Sequence, residues 1–189
     1  MTLPSLPQRT FCMIRHGQTT ANRDSIVAGA TDVPLSDLGR EQASKLSSLS
    51  WKQKTSLFVS PKMRAKDTCQ LAFPGRGFEI HDDLRERNWG EFEGKLVSEL
   101  PSRHAEPKDG DTWDELLARV HKAISECCAK AEDDTLPVFV CHAGVIRAAM
   151  VLAGVGNDAP SAPNAKPLFF LWAGTSHEMT DQLTDSLTA

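Results

Sequence analysis

The feature that most constrains this chain is a series of short apolar runs, each stopping at a polar loop that bears histidine or arginine. Residues 10–14 halt at Arg15-His16-Gly17, residues 57–59 at Ser60-Pro61, and residues 138–140 at Cys141-His142-Ala143-Gly144. Runs this short suit strands covered on both faces better than buried helices. Segments with helical spacing separate them. Residues 38–49 follow Ser36 and Asp37 as alternative N-caps. A second helix is expected from a Ser60 cap, with Pro61 in its first turn, to about Ala72, where Phe73-Pro74-Gly75 stops it. The longest follows a Thr112 cap and sets Trp113, Leu116, Leu117, Val120, Ile124 and Cys127 on one stripe. A last helix covers residues 145–152. Residues 78–80 and 168–172 read as further strands, Pro137 closes the connection ahead of residue 138, and the polar tail after Thr175 is expected to fray.

This alternation predicts an α/β fold: a three-layer sandwich with a mostly parallel central sheet flanked by helices, as one domain over residues 1–189. In such sheets ligands bind beyond the carboxyl ends of the strands. The loops after residues 14, 59 and 140 therefore fall at one edge. Their chemistry has to come from local groups, because a net charge of −4 offers no bulk positive field for nucleic acid. No run approaches the ~20 apolar residues that span a bilayer, and the first nine residues, with Pro4 and Pro7, do not read as a signal peptide. A cytoplasmic location without membrane partners is expected. Five cysteines, odd in number and without paired short spacings, read as reduced thiols. The six histidines show no ligand spacing and no acidic cluster resembles a magnesium site, so neither metal nor cofactor is expected.

A histidine at a strand end, followed by glycine, brings an imidazole and backbone amides close to a bound anion. Neutral imidazole is a competent nucleophile near pH 7, and a phosphohistidine splits one displacement into two steps. Around Arg15-His16-Gly17-Gln18-Thr19 lie further blocks: Asn22 and Gly29; Thr31-Asp32-Val33-Pro34-Leu35-Ser36 with Gly39; Ser60-Pro61-Lys62-Met63-Arg64 with Thr68; Leu84-Arg85-Glu86 with Gly90 and Glu93-Gly94; and Val140 to Gly144. In this order they resemble the histidine phosphatase superfamily, also called phosphoglycerate mutase-like. The resemblance implies that fold and a cofactor-free mechanism. By position it makes His16 the phosphoryl acceptor and places Arg15, Arg64 and His142 around the phosphate with Asn22 as a neutral donor. Thr19, Gly29 and Ala143 would complete the substrate site. Glu86 would protonate the leaving oxygen and then deprotonate water, with Glu91 and Glu93 as rivals. Two arginines beside His16 would lower its pKa, whereas His142 near phosphate and a carboxylate would favour its charged form.

Other readings stay open. Cys141, Gly144 and Arg147, between a strand and a helix, resemble the phosphate loop of cysteine-dependent phosphatases, although Val140 and Ala148 depart from that pattern. A non-catalytic phosphate-binding module on the same fold is a third. Within the resembled family, mutases enclose the substrate under a longer insertion. The short cap expected around residues 87–111 admits water and favours hydrolysis of a small phosphate ester. In size the chain also resembles small members that act on α-ribazole phosphate. Arg87, Arg103, His104 and Lys108 are read as solvated, with contact to a substrate's carboxylate or second phosphate as the alternative. Trp89 and Phe92 are read as packing residues.

Overall fold

A computed structural model describes residues 4–51, 53–156 and 161–182. Strands β1 (Phe11–Arg15), β2 (Lys54–Val59), β3 (Glu79–Ile80), β4 (Thr135–Cys141), β5 (Pro167–Trp172) and β6 (His177–Thr180) form one sheet, ordered β3-β2-β4-β1-β5-β6. The β3-β2-β4-β1 half is parallel, and β5 pairs antiparallel with both β1 and β6. β4 is buried along its whole length and β1 at every residue but Arg15, which is why both read as unbroken apolar runs. Their side chains alternate between two cores. Phe11, Met13 and Phe139 pack under α4 (Trp113–Lys130) and α5 (Ala143–Leu152). Cys12, Ile14, Val138 and Val140 pack on the opposite face with Ala65 and Cys69 of α3 (Met63–Ala72). The expected three-layer α/β architecture is thus the one observed.

The elements begin and end for local reasons. Ser36 caps α2 (Asp37–Lys45), its hydroxyl accepting the Gly39 N–H, and Thr112 caps α4 in a reciprocal box with Glu115. Thr19 and Asn22 cap each other around the one-turn α1 (Thr20–Arg23), which the pattern had not signalled. Three expectations are corrected. Helix α3 starts at Met63 with Lys62 as its N-cap, and the Ser60 hydroxyl, two residues upstream, lies 2.7 Å from His142 Nε2 and accepts the Lys62 N–H at 3.3 Å. Pro137 lies inside β4 opposite Ser56. Pairing with β1 begins only at Val138, so the missing N–H faces no partner strand on that side. The segment after Thr175 does not fray at once: His177–Thr180 adds an edge strand to β5, and Met179 packs against the core. The rest of that tail, 183–189, lies outside the described residues.

All five cysteines are buried free thiols. Among the described residues, no helix is long and apolar enough to cross a membrane. What the topology does for the site is align three strand ends: Arg15 sits level with Cys141, and Val59 with Val140. The loops that follow β1, β2 and β4 therefore meet at one edge.

Candidate active site

The backbone of His16 prolongs the β1 ladder, its N–H donating to Cys141 O at 3.0 Å. The imidazole is buried, and Nδ1 lies 2.7 Å from Gly17 O. A carbonyl can only accept, so Nδ1 carries the proton and Nε2 keeps its lone pair. Burial, the charge of Arg64 and, to a smaller degree, that of Arg15 push the His16 pKa down to about 3, against a partial upward pull from Gly17 O. Gly17 has no room for a side chain, since a Cβ would come within 2.3 Å of Gly39 O at the start of α2. Its N–H donates to Thr68 Oγ1, and Asn164 Nδ2 donates to His16 O.

His142 stands beside His16, with ring centroids 5.2 Å apart. Arg64 Nε donates to its Nδ1 at 3.3 Å, so Nε2 holds the proton and donates to Ser60 Oγ. Burial first, then the charge of Arg64, hold the His142 pKa well below its ordinary value. The hydrogen-bond partners of His142 are a hydroxyl and a guanidinium, not the carboxylate on which the expected charged form depended. Both imidazoles are neutral, for the same reason of burial beside arginine.

Arg64 is buried, and its guanidinium is committed to backbone carbonyls as well as to His142. Nη1 donates to Thr31 O, Nη2 donates to Ala28 O and Gly29 O, and Asp32 Oδ1 stands 3.6 Å from Nη1. The loop that supplies those carbonyls is clasped by Glu93. Its carboxylate accepts the N–H groups of Gly29, Ala30, Thr31 and Trp89 and the Thr31 hydroxyl. Burial raises the Glu93 pKa, but those bonds outweigh it and hold the group charged. Glu93, weighed from sequence as a rival acid, is a clasp for residues 28–31. Glu91, the other rival, accepts the Lys108 N–H.

Glu86 is held by two backbone donors: Oε1 accepts the Arg87 N–H at 2.8 Å and Oε2 the Gly144 N–H at 3.0 Å. The chain around it is held from α4 by Arg119, which donates to the carbonyls of Asp83, Arg85 and Glu86 and to Asp111 Oδ2. Nothing in the spacing of Arg119 signalled this role. Arg87 is buried, not solvated: it donates to Asp111 O, Arg103 O and Ala105 O and lies 4.3 Å over the Trp89 ring. It pins the segment after Glu86 and also lines the cleft.

A cleft of about 380 Å³ opens over this edge, within the range of small-molecule sites. Of the residues expected to contact substrate, Arg15, Asn22, Gly29, Glu86 and Ala143 line it. His16, Arg64, His142 and Thr19 are buried and do not, and the Thr19 hydroxyl is committed to capping α1. Arg15 donates through Nη1 to Ala162 O, while its Nε is buried without a partner. Burial lowers the Arg15 pKa, Glu86 opposes that and Arg64 adds to it. Trp89, Val97, Leu100 and Trp113 supply an apolar wall. Cys141 points into the core under α4 and α5, where burial pushes its thiol pKa up, and it does not line the cleft. Among the described residues, no group of three or more His, Cys, Asp or Glu is placed to hold a metal ion.

Comparison with known proteins gives a consistent picture. The family model of the histidine phosphatase superfamily (branch 1) matches residues 11–165. Phosphoglycerate mutase-like protein 4 of Arabidopsis thaliana is 32% identical over 154 residues, covering 71% of this chain and 66% of that protein. The chain thus spans just under two thirds of that relative's length. Glucosyl-3-phosphoglycerate phosphatase of Mycolicibacterium vanbaalenii is 30% identical over 176 residues, covering 82% of this chain and 78% of that one. The crystal structure of phosphoglycerate mutase from Thermus thermophilus superposes with a TM-score of 0.72 at 25% identity, covering 90% of this chain and 98% of that one.

Proposed function

The chain belongs to the histidine phosphatase superfamily, and on that premise we propose that it hydrolyses small phosphomonoesters through a phosphohistidine on His16. The observation that carries this reading is the tautomer of His16. With Nδ1–H donating to Gly17 O, the free lone pair is on Nε2, and burial beside Arg64 keeps it unprotonated. In the first step Nε2 attacks phosphorus, the bond to the leaving oxygen breaks, and Glu86 delivers a proton to that oxygen. In the second, water attacks phosphorus, Glu86 takes back a proton, and the N–P bond breaks to release phosphate and neutral His16. Arg15, whose Nε lacks a partner, supplies charge-assisted donation to the phosphoryl oxygens, and Asn22 lies on the same cleft wall. Arg64 lowers the pKa of both histidines and fixes the His142 tautomer.

The test is chemical. Enzyme quenched during turnover of a radiolabelled phosphomonoester retains acid-labile, base-stable label on His16, and His16→Asn abolishes both label and phosphate release. Label that survives in His16→Asn, or that is lost only in Cys141→Ser, refutes the reading. If label forms but passes to a second hydroxyl without net phosphate release, the activity is that of a mutase.

A further inference from the structure

The loop that carries His16 is gripped by a segment far along the chain. Residues 162–165, just ahead of β5, meet it through four hydrogen bonds. Ala162 O accepts Arg15 Nη1 at 2.9 Å, and the Ala165 N–H donates to Arg15 O at 2.9 Å. Between them Asn164 Nδ2 donates to His16 O at 2.8 Å and to Asn22 Oδ1 at 3.4 Å. Ala165 takes φ +46°, the left-handed region that an alanine ordinarily avoids. Such a backbone persists only where its surroundings hold it. Here the Ala165 N–H and the Asn164 side chain before it reach Arg15 and His16 together.

Two donors converge on the oxygen end of the Asn22 carboxamide, because Oδ1 also accepts the Thr19 N–H at 3.2 Å. The NH2 end of the same planar group is thereby directed elsewhere, and among the described residues no bond takes up Nδ2. Asn22 lines the cleft beside Arg15, whereas Asn164 does not. Turned over, the amide would present an oxygen to a bound anion and set its NH2 against two donors. We propose that Asn164 is a positioning residue: by donating to His16 O and Asn22 Oδ1 together, it fixes the Asn22 carboxamide with its NH2 toward the phosphoryl group. This rests on the phosphatase reading above and adds to it a residue that itself touches no substrate.

The test is a double-mutant cycle read as affinity for orthovanadate by calorimetry, a probe with the shape and charge of phosphate that needs no turnover. Asn164→Ala removes the donor and should weaken binding about fivefold, the net worth of one hydrogen bond. Asn164→Asp keeps the shape but can only accept, so it should turn the Asn22 amide over and weaken binding about tenfold or more. In an Asn22→Ala background both penalties should shrink to within about twofold. Penalties that keep more than half their size there, or Asn164→Asp binding as tightly as wild type, overturn the proposal, since a packing role would spare the isosteric variant and ignore Asn22. If Asn164→Ala does not fold, the Asn164→Asp arm of the cycle decides. Vanadate bound by a wild type that releases no phosphate from 4-nitrophenyl phosphate overturns the phosphatase reading and leaves the cycle readable. A wild type that binds no vanadate overturns both.

Discussion

Glycine 144 offers a perturbation whose effects on stability and on chemistry should separate. It lies in the first turn of α5, and a Cβ built there falls 2.3 Å from Glu86 Oε1 and 3.2 Å from Glu86 Cδ. Ordinary contact begins near 3.4 Å, so Gly144→Ala has to displace the carboxylate by about 1 Å. The obstacle is the far end of a flexible side chain, not backbone, so the fold yields cheaply. Replacing a helical glycine by alanine should even contribute up to about 1 kcal/mol of stability. The displaced group is, however, the proposed acid. Misplacement by 1 Å costs roughly 10²-fold, within the 10²- to 10⁴-fold that a general acid supplies. Single-turnover phosphorylation of His16, followed with an alkyl phosphate and with 4-nitrophenyl phosphate, reads this directly. The alkyl ester needs a proton on its leaving oxygen and should slow about 10²-fold, while the nitrophenyl ester should slow far less. Equal losses on both esters, or no loss with the alkyl one, would refute the assignment of Glu86. A large fall in Tm would show that the strain had gone into backbone instead.

Gly29 makes the contrasting case. Its Cβ would lie 1.9 Å from Arg87 O, a backbone atom that cannot swing aside, so Gly29→Ala should lower stability by about 1–3 kcal/mol, measured by urea unfolding. Stability should also depend on pH in a window set by the histidines. His16 titrates at about 3 in the folded chain and His142 well below its ordinary value, whereas both titrate near 6.5 when unfolded. Below pH 6.5 the unfolded state binds protons that the folded state refuses. Their contribution is thus intact above pH 6.5 and is lost as pH falls toward the folded values, by up to about 1.4 kcal/mol per pH unit per histidine. Urea midpoints that stay flat between pH 7 and 5 would show that these histidines are not buried neutral. Cys141→Ser should keep turnover within about threefold while costing about 1–3 kcal/mol, because a hydroxyl replaces a thiol in an apolar core.

Much of the site could be read from the chain. The runs ending at Arg15 and Val140 are buried on both faces, and such strands carry no alternation to confuse. Thr112 with Glu115, and the stripe from Trp113 to Cys127, combine local cap chemistry with helical period, so α4 was legible at both levels. Ser60 misled because a serine before proline is also a good cap. Its hydroxyl instead meets the Lys62 N–H and His142, the latter 82 residues away and invisible to local pattern. Residues 177–180 look polar and terminal, and become a strand only because the β5 edge is there to pair with.

By itself the sequence determined the α/β class, the edge at which the loops converge, and the ordered residues that identify the superfamily. Those depend on short-range periodicity, caps and residue order, all of which are local in the chain. Tertiary structure alone decided how the arginines are spent. Arg64 and Arg87 are consumed by carbonyls of distant loops. It also decided protonation: the solvent exclusion that keeps His16 and His142 neutral comes from elements far apart in sequence. A guanidinium's partners and an imidazole's desolvation are long-range properties, which neither residue type nor spacing encodes.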